Sequence, residues 1–163
     1  MARTKRILFT KAAYHICVRG NNRQAVLNST EDKLALLNTL SKYKERFRFK
    51  LFGFVLMDNH AHLVIETTNQ ISISKIMQAV TLSYSQKFRN KYGYVGYVWQ
   101  GRFKSKVIEG DNYILECLNY IHNNPLRANM VSNLKQYKWS SYHKYNESSN
   151  PLEGIIDIDV IKP

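Results

Sequence analysis

From Ala12 to Gly20 the chain reads AAYHICVRG, rich in β-branched and aromatic residues and stopped by Gly20-Asn21-Asn22. That pattern predicts a first strand. The period then lengthens. Leu34, Leu37 and Leu40 predict the apolar stripe of a helix over about 30–46, with Ser29 or Thr30 as N-cap and Glu31 and Asp32 in its first turn. FKLFGFVLM (49–57) and HAHLVIETT (60–68) read as two strands around Asp58-Asn59, an antiparallel hairpin. Ile76, Val80, Tyr84 and Phe88 mark a second long helix over about 72–91, starting at Ser72 or Ser74.

A Gly- and aromatic-rich loop follows, YGYVGYVWQGRF (92–103), and then a short strand, KSKVIEG (104–110). A third helix begins near Asp111 and must end by Asn124, because Pro125 disfavours helical geometry in the residue before it. The order β-α-β-β-α-β predicts an α+β, ferredoxin-like (split βαβ) fold, an antiparallel sheet with helices on one face. The third helix is an addition to that core. From about residue 131 the pattern is irregular, with room for one helical turn.

Composition narrows the partners. The 163 residues suit one domain with a real core, and 44% hydrophobic residues exclude a disordered chain. No apolar run approaches the roughly 20 residues of a membrane span, and the N-terminus lacks a signal-peptide pattern. Cys17 and Cys117 do not make a disulfide scaffold, and the expectation is a cytoplasmic protein. The net charge is +12, unevenly placed: residues 1–144 hold 23 basic and 8 acidic side chains, residues 145–163 hold 1 and 4. The reading is a domain over 1–145, an acidic tail over 146–163, and a polyanionic partner, most often nucleic acid.

Two sequence features carry candidate chemistry. His60 and His62 stand at the head of the second hairpin strand, where alternate side chains share a face. Two residues advance about 6–7 Å along a strand, so both imidazoles can lean onto one ion, although a third ligand is needed. In the third helix Ile114, Leu118 and Ile121 form the apolar face, and Tyr113, Tyr120 and Asn124 run along its edge. Tyr120 and Asn124 are neighbours four residues apart. The Asn124 carboxamide can complete a His-His-amide set, and Tyr120 can reach a phosphate beside it. The bland alternative is that Tyr120 packs and Asn124 merely ends the helix. His122 lies on the other side of that helix and His15 sits in the first strand beside Ile16 and Val18; both read as structural.

NHAHLVIE, WQGRF and YIHNNPLRA, in that order and spacing, resemble the single-tyrosine HUH transposases, nearest the REP-associated tyrosine transposases. The resemblance runs from YHICVRGNNR at Tyr14 to the WSSY stretch at 139–142. It implies that His60, His62 and Asn124 hold a divalent ion, Mg²⁺ or Mn²⁺, and that Tyr120 is the nucleophile. It further implies cleavage and rejoining of single-stranded or hairpin DNA through a 5′-phosphotyrosine, by a monomer or by a homodimer exchanging tyrosine helices.

Around this site Trp99, with its aromatic neighbours Tyr94, Tyr97 and Phe103, alternates with Arg102, Lys104 and Lys106, a pattern suited to stacked bases and their phosphates. The alternative is that Trp99 and Phe103 plug the core. Arg19, Arg23 and Arg127 are further phosphate candidates. Two rival functions stay open: a non-catalytic nucleic-acid-binding module on a ferredoxin-like sheet, and a metal-dependent phosphodiesterase that uses water. Only the transposase reading makes Tyr120 indispensable.

Overall fold

In the computed structural model, which describes residues 11–68, 70–146 and 155–157, the chain begins with strand β1 (Ala13–Arg19) and a 3₁₀ turn (Asn21–Arg23). Helix α1 (Thr30–Phe47), the hairpin β2 (Lys50–Leu56) and β3 (His60–Glu66), helix α2 (Ile73–Tyr92) and strand β4 (Lys104–Ile108) follow. Helix α3 (Asp111–His122) leads into a short α4 (Asn124–Arg127), a 3₁₀ turn (Leu134–Gln136) and α5 (Tyr142–Asn146). The strands form one antiparallel sheet in the order β2-β3-β1-β4, with β3 and β1 central. This is the predicted ferredoxin-like order, and the element boundaries fall within two residues of the predicted ones.

The cap residues explain where the long helices start. Ser29 accepts from the Asp32 amide while the Asp32 carboxylate accepts from the Ser29 amide, a reciprocal capping box. Asp32 is buried and also receives Lys91 Nζ at 2.9 Å and Tyr92 Oη at 2.8 Å, which ties the start of α1 to the end of α2. Ser72 caps α2, and Gly93 ends it in the left-handed region at φ 60°.

The α2 stripe is buried as expected at Ile76, Val80, Tyr84 and Phe88. The α1 stripe is rotated from its predicted phase. Lys33, Leu36, Leu37 and Leu40 are buried, and Leu34 is 42% exposed. The physical reason is Lys33. Its ammonium donates to the Leu27 carbonyl and, at 2.8 Å, to Asp58 Oδ1, so this face of α1 binds the β2–β3 turn as well as packing on the sheet.

The two faces of the sheet differ. Tyr14, Ile16 and Val18 of β1 and Ala61, Leu63 and Ile65 of β3 are all buried in the core beneath α1 and α2. The alternate residues face α3. Over β2 and the second half of β3 that side is apolar: Phe52, Val55 and Val64 meet Ile114, Leu118 and Ile121. Gly53 permits the approach, since a Cβ there would lie 2.2 Å from Leu118 Cδ2 and 2.9 Å from Ser141 Oγ.

The last turn of α3 is fastened by residues far along the chain. Ser141 Oγ lies 2.8 Å from His122 Nε2 and accepts from the Phe54 amide at 2.9 Å. Tyr137 and Tyr145 donate their hydroxyls to the carbonyls of Leu56 and Phe52. The outer edge of β2 is covered by residues 139–141, through Leu56 N to Trp139 O and Ser141 N to Phe54 O, both at 2.9 Å. Residues 155–157, from the stretch read as an acidic tail, cover it further along: the Asp157 amide donates to Leu51 O, and its carboxylate pairs with Lys44 at 2.9 Å. An exposed edge strand is a template for unwanted pairing, and these contacts remove it.

Candidate functional site

Strand register places the polar residues. Directly opposite one another stand Arg19 and His60, Cys17 and His62, and His15 and Val64 across β1 and β3. Across β1 and β4 stand His15 and Lys106, and Cys17 and Lys104. Opposed residues in an antiparallel pair point to the same side, so Arg19, His60, His62, His15, Lys104 and Lys106 share the α3 face. The sequence placed the two β3 histidines together; pairing with β1 adds His15, which sequence reasoning set aside as structural. The available signal was the alternation Ala13, His15, Cys17, Arg19, but the partner strand was needed to give it meaning.

The three imidazoles make a connected group. The rings of His60 and His62 lie 5.2 Å apart at 85°, and those of His15 and His62 lie 5.1 Å apart and stacked. His15 Nε2 is 2.9 Å from His62 Nδ1. His60 donates from Nδ1 to Asn59 Oδ1 at 2.6 Å, which leaves its Nε2 lone pair available. Burial holds the His62 imidazole down to about 3, with the positive charges of His15, His60 and Arg19 adding to the effect. Burial also lowers His60, helped by Arg19, and His15, helped by Lys106. All three are therefore neutral near pH 7, the form in which imidazole is a ligand.

Tyr120 looks onto this group from α3. Its ring meets His15 edge-on at 5.9 Å and His62 at 6.4 Å. Tyr120 is 47% exposed. Between β4 and α3 a cleft of about 730 Å³ is lined by His15, Lys106, Glu109, Tyr113, Cys117 and Tyr120. Its β4 side mixes Lys106 and Glu109 with Val107 and Ile108, and its α3 side sets Tyr113 and Tyr120 beside Glu116 and Cys117.

Asn124 lies one turn beyond Tyr120, and its Nδ2 is buried without a hydrogen-bond partner. An orphaned buried amide is costly unless something else satisfies it. Rotation of the carboxamide by 180° would present Oδ1 at that position, a hard donor suited to a divalent cation. Among the described residues no three His, Cys, Asp or Glu side chains are grouped to hold a metal ion. An ion held by His60 and His62 would need a further donor of another residue type, and the Asn124 carboxamide is a donor of that kind.

The remaining predicted contact residues divide. Arg19, Lys104 and Lys106 are exposed on the site face, and Arg127 sits over the Tyr120 ring. Arg19 and Arg102 line a second cavity of about 290 Å³ at the sheet edge, together with Gln78, Gln100 and Trp99. Trp99 is only 8% exposed; it packs on Tyr84 and donates Nε1–H to the Thr81 carbonyl, so it presents little ring face for stacking. Arg23 is exposed in the 3₁₀ turn, where its carbonyl accepts from Asn59. His122 is buried against Ser141 on the far side of α3, as expected of a structural residue.

A Haemophilus influenzae protein named as a REP-associated tyrosine transposase is 27% identical over 118 residues, covering 64% of this chain and 66% of that one. The solved structure of a REP-associated tyrosine transposase bound to a REP hairpin aligns over 100% of this chain and 94% of its own, with a TM-score of 0.70 at 19% identity. A second solved structure, from Deinococcus radiodurans R1 and described as a transposase, aligns over 76% of this chain and 97% of its own, with a TM-score of 0.52 at 18% identity. Both likenesses are of fold. Residues 8–124, most of the chain, match the model of one protein family directly, and by that match the chain belongs to the IS200-like transposases.

Proposed function

We propose that this protein nicks and rejoins single-stranded DNA, with Tyr120 as nucleophile and a 5′-phosphotyrosine as the covalent intermediate. The observation that carries the reading is the position of Tyr120, a half-exposed residue whose ring borders those of His15 and His62 on a basic sheet face. A water-dependent phosphodiesterase would have no use for that tyrosine.

In cleavage the Tyr120 hydroxyl proton passes to solvent and Oη bonds to phosphorus. The 3′ oxygen leaves with its bonding pair and is protonated to 3′-OH. One phosphodiester replaces another, so rejoining is the same exchange run backwards. His60, His62 and Asn124 would hold the divalent ion, Mg²⁺ or Mn²⁺. When bound there, the ion supplies Lewis-acid polarisation of the scissile phosphate. For His62 to offer Nε2 to the ion, the proton it shares with His15 sits on His62 Nδ1, leaving His15 Nε2 as acceptor. Lys104, Lys106 and Arg19 line the same face and draw the phosphate backbone toward it.

The substrate class follows from the relative solved with a REP hairpin: a hairpin with a single-stranded flank is the natural first probe. Incubated with labelled hairpin DNA and Mn²⁺, the protein is expected to give an adduct that survives denaturation, and Tyr120→Phe none. Equal cleavage by Tyr120→Phe would overturn the assignment. DNA binding with no cleavage across a set of hairpins would favour the binding-module reading instead.

A further inference from the structure

Arg127 was a phosphate candidate on sequence grounds, yet its guanidinium carbon stands 4.6 Å from the centre of the Tyr120 ring. The path of the backbone explains the contact. After α3 the chain does not turn away: Asn123 keeps near-helical angles at φ −78° and ψ −7°, and Arg127 N donates to Asn123 O at 3.1 Å. Tyr120, Asn124 and Arg127 therefore stay on one stripe, at spacings of four and three residues. Long side chains on a helix lean toward its N-terminus, which carries the guanidinium of Arg127 back over the ring two turns earlier. Among the described residues no carboxylate forms an ion pair with Arg127, so its charge is not already neutralised by a partner.

We infer that Arg127 is a positioning residue for the nucleophile, holding the Tyr120 ring at the histidine face and offsetting the negative charge that the ring carries during strand exchange. This rests on the nicking reaction proposed above. In cleavage the phenol oxygen gives up its proton before its electron pair is fully shared with phosphorus. In rejoining the Oη–P bond breaks and the pair returns to the phenol oxygen. Negative charge builds on the ring in both directions, and a cation on the ring face stabilises that form more than the neutral phenol. Arginine suits the task because its planar group stacks on an aromatic face and stays charged at every working pH.

The test times adduct formation in single turnovers on the labelled hairpin with Mn²⁺, over a range of DNA concentrations. Five proteins are compared: wild type, Arg127→Lys, Arg127→Gln, and wild type and Arg127→Gln each carrying a ring-fluorinated tyrosine at position 120, whose phenolate disperses its own charge. Removing the cation is expected to slow the step at saturating DNA about tenfold, equivalent to about 1.4 kcal/mol in the barrier, with half-saturation little changed. Lysine should restore most of the rate, and fluorination should speed Arg127→Gln more than it speeds wild type, responses that a purely structural role would not give. A wild-type rate in Arg127→Gln, or a defect confined to half-saturation as a phosphate contact would give, overturns this inference alone. Absence of any adduct from wild type overturns the nicking reading and this inference with it.

Discussion

The same strands build two unlike surfaces. Under α1 and α2, Ile16, Val18, Leu63 and Ile65 are sealed into a dry core. One residue along, His15, Arg19, His60 and His62 face α3, beside the apolar patch of Phe52, Val55 and Val64. The difference teaches how a small domain accommodates a reactive site. One face stabilises the fold, burial of each large aliphatic side chain contributing roughly 1.5–3 kcal/mol. The other keeps desolvated but unsealed polar groups that would weaken a core.

Substitutions at adjacent positions should break this comparison cleanly. Tyr120→Phe has the largest expected effect on chemistry, complete loss of adduct, while its stability in urea stays within about 0.5 kcal/mol because the ring is half exposed. On the opposite face Leu63→Ala, fully buried, should lower unfolding free energy by about 2–5 kcal/mol and leave the adduct-forming rate of the folded fraction intact. Loss of chemistry in Leu63→Ala at full folding would blur the division proposed here.

The α3 side can be probed at Cys117. Burial pushes its thiol up to about 11 from a usual value near 9, with Lys106 opposing the shift. A raised acid is mostly protonated at pH 8, so the thiolate fraction there falls about a hundredfold. Iodoacetamide should alkylate Cys117 about a hundred times more slowly than it does after unfolding, and the rate should climb with pH up to about 11. Fast alkylation at pH 8 would mean that the α3 face is more open than described.

Smaller effects sharpen the picture further. Gly53→Ala forces a Cβ against Leu118 and should destabilise by about 1–3 kcal/mol, read from denaturant midpoints. Asn124→Ala removes the orphaned amide, and electron paramagnetic resonance titration with Mn²⁺ should give affinity reduced by about tenfold or more. Unchanged Mn²⁺ affinity would remove Asn124 from the ligand set.

Much of this was legible in the sequence because amphipathic periods are local. The α2 stripe and the Ile114, Leu118, Ile121 face needed no knowledge of their partners, and the His60–His62 alternation followed from strand geometry. The phase of α1 was misjudged because an apolar count passes over Lys33, whose aliphatic stem and satisfied ammonium are buried. His15 entered the site only through pairing between residues 47 positions apart, which no window along the chain reveals. For Trp99 the sequence left stacking platform and core plug both open, and the contacts with Thr81 and Tyr84 that decide for the core are likewise distant along the chain.

The Ser141 hydroxyl bears on where this domain can be divided. The family match ends at Asn124 and takes in His15, His60, His62, Tyr120 and Asn124. Yet Ser141 joins His122 at the end of the tyrosine helix to the backbone of Phe54, and the hydroxyls of Tyr137 and Tyr145 grip the same strand. A protein shortened to the family boundary would keep every group proposed to react and lose the clasp that aims one of them. For this chain the unit of inheritance, as a sequence profile draws it, is smaller than the unit of mechanical integrity.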